Sequence, residues 1–376
     1  MPSTYRSVLR VPGAAPFFFT AAAGRVGIAM TGLGLLWLLH ARTGSYGTAG
    51  LAAGGFAVAE AGLGPQLARL ADRFGQPRVL TVSVAVHGIA ITGVLCSPTP
   101  AALAFAGCAG AAVPQLGALS AVRWAHLLPA ADLPTAFALE SLANATAFFL
   151  GPVLVTALGA AGQAALASAL AAALIVGGGA ALAVQRRTAP PPARPGSSRP
   201  RFLRLTLLNL AVGLYFGTMG VSVSAFATEY GVPGAATPIV AAGSVAGLVS
   251  GWLHGLRRHP APARLQLVVA AAYLTGTALL LPLAPSALWL GAAVVVTEAA
   301  IPPTLVLLNV LTERAVDPAV LTRALTWNNS ASAAGSALAG FLAGRVADTL
   351  GASAAFGVAP VAGFALLALA VTLPSG

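Results

Sequence analysis

The chain has 376 residues, of which 57% are apolar and only 8% charged, and its mean hydropathy is +0.86. A water-soluble domain carries about 25% charged residues, so the composition excludes an ordinary soluble fold and points to an integral membrane protein. The net charge of +11 does not point to nucleic acid, because the arginines lie in short gaps between apolar runs and not on one interleaved patch. All 20 basic residues are Arg and Lys is absent; with the alanine excess, this reads as the coding bias of a GC-rich genome. Cys96 and Cys108 offer neither a disulfide framework nor a metal-ligand spacing, and no cofactor or metal is expected.

A helix needs about 20 apolar residues to cross ~30 Å of hydrocarbon. Twelve segments meet this, over approximately 17–40, 46–67, 79–97, 101–123, 135–158, 163–184, 202–228, 236–256, 265–284, 286–311, 322–343 and 353–373. The first carries Arg25 and runs on to His40, which suits a retained helix better than a cleaved signal peptide. Turn-forming clusters separate the segments, among them Thr43-Gly44-Ser45, Ser97 to Pro100 and Gly231 to Gly234. Cytoplasmic loops carry the excess of positive charge. With the N-terminus inside, all arginines except Arg25, Arg42 and Arg345 fall in cytoplasmic loops or at helix ends on that side, so both termini are expected in the cytoplasm.

The stretch 185–201, rich in proline and arginine, divides these segments six and six and reads as a semi-rigid solvated spacer. The expected fold is an all-α integral membrane protein with twelve transmembrane helices: a six-helix bundle over residues 1–184, a cytoplasmic linker over 185–201, and a second six-helix bundle over 202–376.

The loop between the second and third segments reads Gly64-Pro65, Arg69, Asp72, Arg73, Gly75, Pro77 and Arg78. It resembles the loop between helices 2 and 3 of the major facilitator superfamily, a family of secondary transporters. Asp72, Arg73, Gly75 and Arg78 match the family motif, while Ala68 replaces its first glycine and Pro77 one of its basic residues. The resemblance implies two pseudo-symmetric bundles. It also implies that Asp72 seats at the start of helix 11 near Arg323 when the inner gate is shut, with Arg123 at the end of helix 4 as the matching basic group; an anion is favoured at a helix N-terminus. Topology alone accounts for Arg69, Arg73 and Arg78 as anchors, but not for Asp72.

Gly151-Pro152 in the fifth segment resembles the Gly-Pro element of the family's antiporters, and it reads equally as a plain kink. Ala324 to Asn329 resembles bacterial sugar- and drug-efflux members. Helix 4 lacks, over Leu103 to Pro114, the arginine that drug–proton antiporters of the family often carry. The second-half loop, His254 to Arg258, is basic but has no aspartate.

Ionisable groups inside spans are costly, and each is a functional candidate. Arg25 in helix 1 and Glu60 in helix 2 lie at equal depth, ~12 Å from the inner face at 1.5 Å per residue, which permits an ion pair; either could instead contact substrate. Glu298 lies near the middle of helix 10. The family lines its cavity with helices 1, 4, 7 and 10, so Glu298 is a candidate for binding a proton or a cationic substrate, and Pro302-Pro303 beyond it should kink the helix. Glu140 and Asn144 are four apart on helix 5 and share a face. His87 reads as a packing histidine, and Asn328 as a bond either to substrate or to a neighbouring helix. The glycine rows 243, 247, 251 and 335, 340, 344 read as close-packing surfaces.

No nucleotide-binding loop or catalytic triad is present, so no enzyme activity is expected. The resemblance implies a secondary transporter moving a small organic compound across the bacterial cytoplasmic membrane by alternating access. Efflux is the first reading, with protons as the candidate coupling ion and a monomer as the expected state. The alternatives are an importer or facilitator, or a transport-inactive membrane scaffold or sensor.

Overall fold

The computed structural model describes residues 4–192, 200–257 and 260–373. Residues 193–199 of the expected linker and Arg258 of the second-half loop lie outside the described residues. A bilayer offers the backbone no partners, so each crossing segment must satisfy its own amides and carbonyls as a helix. The first half comprises a short α1 (Tyr5–Leu9), then α2 (Ala14–Thr43), α3 (Tyr46–Phe74), α4 (Gln76–Cys96), α5 (Thr99–Ala111), α6 (Leu116–Leu127), α7 (Leu133–Ala160) and α8 (Ala164–Val184). The second half comprises α9 (Pro200–Glu229), α10 (Ala236–Leu256), α11 (Ala263–Ala278), α12 (Ala287–Glu298), α13 (Ile301–Ala315), α14 (Leu321–Leu350), α15 (Ala352–Ala355) and α16 (Val358–Val371).

These make twelve crossings, because three are built from two helices each. Among the described residues, nine spans are long and apolar enough by themselves. The other three are α11, only 16 residues long, and α3 and α14, which pack against each other across the two halves.

Three segments expected as continuous are broken. The fourth stops at Ala111 and resumes at Leu116, because Pro114 has no amide to donate and disfavours helix at the residue before it. The tenth stops at Glu298 and resumes at Ile301, with Pro302 and Pro303 in the first turn of α13, where missing amides cost nothing. The expected kink beyond Glu298 is therefore a full interruption beside it. The last segment breaks at Phe356-Gly357. The short α1 was not anticipated; a capping box between Thr4 and Ser7 starts it.

Arg42, Arg204 and Arg264 cap helix ends. Arg42 donates to Val94 and Leu95 carbonyls at the end of α4. Arg204 and Arg264 donate to the Thr372 and Val371 carbonyls at the end of α16, at 2.5 and 2.6 Å. Carbonyls without helical partners are thereby bonded by cations, where the helix dipole favours positive charge.

The closest helix packing joins α9 to α14. A Cβ on Gly213 or Gly217 would overlap the Ser332 or Ser336 carbonyl, and one on Gly335 the Leu210 carbonyl. Small residues let these backbones touch, which is what drives helix association where lipid is as apolar as leucine.

Candidate functional site

Arg25 and Glu140 form a buried ion pair within the first half. The Arg25 guanidinium also donates to the Glu140 carbonyl at 3.2 Å. The second carboxylate oxygen of Glu140 accepts from the Ser120 hydroxyl at 2.6 Å and the Trp124 indole at 2.7 Å. α2, α6 and α7 thus meet at one carboxylate. This corrects the Arg25–Glu60 pair that equal depth suggested. α7 packs so closely on α2 that a Cβ on Gly151 would lie 2.8 Å from that of Ala29, and this keeps Glu140 beside Arg25. Glu60 is half-buried, with no hydrogen bond or ion pair among the described residues. Asn144, one turn beyond Glu140, is exposed.

The broken fourth and tenth spans are repaired in the same way, by side chains from neighbouring helices. Ser83 of α4 donates to the Ala112 carbonyl at 2.7 Å, and His87 Nδ1 lies 2.9 Å from the Ala109 carbonyl. In the second half, Ser250 of α10 donates to the Ala299 carbonyl, and Tyr273 of α11 to the Val296 carbonyl at 3.0 Å. The row Gly243, Gly247 and Gly251 seats this break, facing the Glu298 side chain and Pro302. Glu298 ends α12 and accepts one hydrogen bond, from the Tyr215 hydroxyl of α9 at 3.2 Å. Interrupted spans at matching places in two halves are a mark of transport sites.

Hydrogen bonds cross between the halves at the arginine-rich end. Asp72 Oδ2 accepts from the Arg323 amide at 3.1 Å, at the start of α14. Deeper along the same junction, Ser330 donates to the Ala61 carbonyl at 3.3 Å. On the other side, the Tyr5 hydroxyl lies 2.7 Å from the Trp252 carbonyl and 3.3 Å from that of Gly251, and Thr135 donates to the Gly255 carbonyl at 3.2 Å. Asp72 lies beyond the membrane-spanning part of α3. Burial pushes its carboxyl up to about 6, against the Arg323 amide bond and the Arg323 charge that pull it down. Burial likewise pushes the Tyr5 phenol up to about 12, so it stays a donor.

Arg123 makes no hydrogen bond or ion pair with Asp72 among the described residues. It donates to Gln76 at 3.0 Å, to Thr188 at 2.9 Å and to the Leu182 and Gln185 carbonyls, and so caps α8. With five donors and fully buried, a guanidinium binds the nearest carbonyls, and the ends of α8 and the following turn supply them. Gly75 has φ of 90° and joins α3 to α4, a conformation that favours glycine. Arg73, Arg78 and Arg69 are exposed, and Arg73 lies over the Phe74 ring. Pro152 lies inside α7 one residue beyond Gly151. Asn328 is buried, donating to Thr312 at 2.9 Å and accepting from Thr206 at 3.2 Å. Sequence reading missed Tyr5, Thr135, Ser120, Trp124 and Tyr215. Trp124 and Tyr215 carried a usable signal, since buried indole and phenol groups need a partner.

The profile of the Major Facilitator Superfamily matches residues 17–340. No curated protein matches the sequence. Among solved structures, a bacterial homologue of the iron transporter ferroportin, in an outward-facing state with soaked iron, is 13% identical with a TM-score of 0.79, covering 96% of this chain and 99% of that one. The transporter FucP in the outward conformation is 14% identical with a TM-score of 0.73, covering 98% of this chain and all of that one. The human organic anion transporter MFSD10 is 16% identical with a TM-score of 0.70, again covering 98% of this chain and all of the other. At these identities the likeness is one of fold.

Proposed function

The chain belongs to the Major Facilitator Superfamily, and on that premise we propose that it exports a small organic compound across the bacterial cytoplasmic membrane by alternating access. The observation that carries this reading is the set of inter-half hydrogen bonds at the arginine-rich end, made by Asp72, Tyr5 and Thr135, with the Ser330 bond deeper along the junction. These bonds must break for the halves to part there. By the arginine distribution that end is cytoplasmic, so the conformation is closed inside, with both termini in the cytoplasm. The division at 185–201 is the linker between the two moving bundles, and the protein works as a monomer.

Proton coupling is assigned to Glu298. It stands at a helix interruption, and its carboxylate meets a tyrosine hydroxyl and no cation among the described residues. Arg25, by contrast, is neutralised by Glu140, which makes that pair a structural brace. A substrate is first found by thermal-shift screening of small organic compounds, and its flux is then followed in proteoliposomes under an imposed pH gradient. Glu298→Gln is expected to abolish gradient-driven flux while leaving exchange of substrate for substrate intact. Undiminished pH-driven flux in that variant removes the coupling role, and flux running only inward replaces export by import.

A further inference from the structure

At the arginine-rich end a cavity of about 280 Å³ lies between the two halves. The first half supplies Pro65 and Arg69 from α3. The second supplies Phe202 from α9 and Arg323 and Trp327 from α14, with Val320 from the turn before α14. The charge is unbalanced. Arg69 is exposed, and its guanidinium has no hydrogen-bond or ion-pair partner among the described residues. Arg323 gives its backbone amide to Asp72, but among the described residues its guanidinium holds no hydrogen bond. The acid that faces it is Asp72, one carboxylate against two guanidiniums. Asp317, just before α14, is occupied in accepting from the Ala319 amide at 2.8 Å. Apart from the Gln66 amide, the rest of the wall is aromatic and aliphatic, and Leu70 and Phe74 continue an exposed apolar surface on α3 beside Arg69.

We propose that this cavity binds an oxyanion carried on an apolar body, with Arg69 and Arg323 clamping the anion and Phe202 and Trp327 packing on the body. Guanidiniums present paired donors that match phosphate or carboxylate oxygens. Because both halves line the cavity, the ligand binds only while they are together, and by linkage it holds the arginine-rich end closed. The chemistry fits the phosphate of an acidic phospholipid from the surrounding leaflet, or a soluble amphiphilic anion. The site goes beyond transport and is read without any flux.

The test titrates the full chain in neutral detergent and follows its thermal transition. The probes are monomeric dihexanoyl phosphatidic acid, hexyl phosphate, inorganic phosphate, and dihexanoyl phosphatidylcholine as the zwitterionic control. Phosphatidic acid is expected to raise the transition saturably, and Arg69→Gln with Arg323→Gln to weaken its apparent affinity at least tenfold. Arg69→Gln alone, an exposed and unpaired position, serves if the double variant fails to fold. Hexyl phosphate, a soluble amphiphilic anion, assigns a soluble source if it is as effective as the lipid and a lipid if it has no effect; inorganic phosphate as effective as the lipid overturns the packing of an apolar body on Phe202 and Trp327. Equal shifts by phosphatidylcholine, or an undiminished shift in the arginine variants, overturn the proposal. A probe pair spanning α3 and α14 at that end supplies the conformational readout: the lipid should narrow its distances to the closed value, and no change overturns the closure.

Discussion

Removing one charge from the Arg25–Glu140 pair should be far more damaging than removing both. The carboxylate is 5% exposed and Arg25 6%, so Glu140→Gln leaves a guanidinium in the interior with no counter-charge. Breaking a buried pair in this way costs about 3–5 kcal/mol. The Ser120 and Trp124 bonds survive on the amide oxygen, weakened from charge-assisted to neutral strength by about 1 kcal/mol each at most. At ~2–4 °C per kcal/mol for a unit the size of one half, the thermal transition should fall by roughly 6–20 °C. Adding Arg25→Met removes the orphaned cation and fills its volume with a flexible apolar chain. The double variant should therefore recover to within about 2 kcal/mol of the parent, because it leaves no uncompensated charge in the interior, which is the main cost of breaking a buried pair. Unfolding of the four proteins of this cycle in one detergent, followed by Trp fluorescence, gives the coupling energy. A Glu140→Gln transition within ~2 °C of the parent, or a double variant less stable than Glu140→Gln, would refute the reasoning.

Three further outcomes follow from the inter-half contacts and the glycine packing. Because the closed state holds the Asp72 proton up to about 6 and a solvated carboxyl releases it near the ordinary 3.8, closure of the arginine-rich end should be complete below pH ~4. It should weaken by about 3 kcal/mol up to pH ~6 and stay flat above; inter-half probe distances should track this, and a slope that persists in Asp72→Asn counts against it. Tyr5→Phe removes the donor to the Gly251 and Trp252 carbonyls, so the closed-to-open ratio should drop about fivefold for ~1 kcal/mol, and unchanged probe distances would dismiss the contact. Gly217→Ala forces a Cβ against the Ser336 carbonyl and should cost about 1–3 kcal/mol. Gly220→Ala, with nothing within 4 Å, should be neutral or stabilising by up to ~1 kcal/mol; equal effects would show that backbone approach does not set the packing of α9 on α14.

The twelve crossings were legible in the sequence because length, hydropathy and turn clusters are one-dimensional signals. That Asp72 needs a partner was legible, because a lone acid in a basic loop has no insertion role; its seat at the start of α14 came only from the resemblance of the loop to the family motif. What could not be read is rotational. Equal depth put Arg25 level with Glu60, but depth does not say which way α3 turns its carboxylate. The chosen partner, Glu140, depends on how near Gly151 lets α7 come to α2. The breaks in the fourth and tenth spans were half legible. Pro114 and Pro302-Pro303 mark them, yet whether a proline kinks or interrupts depends on whether a neighbour supplies donors to the freed carbonyls. Here Ser83, His87, Ser250 and Tyr273 do so. Tyr5 was invisible because five residues of helix before the first span carry no periodic signal.

The two sides of the closed end are chemically unequal. On the α3–α14 side the latch is a carboxylate at a helix N-terminus, which titrates. On the α7–α10 side no aspartate was available in the loop after α10, and the bond is made in the opposite sense: hydroxyls of Tyr5 and Thr135 reach the carbonyls at the C-terminal end of α10. Carbonyls do not titrate, and the Tyr5 phenol, pushed up to about 12, keeps its proton at any working pH. Acidity therefore acts on one side of the closure and leaves the other fixed. Closure through these contacts is coupled to at most one proton, which bounds its pH dependence at about 1.4 kcal/mol per unit. A steeper dependence would have to come from groups deeper in the bundle, where Glu298 and Glu60 stand without cations.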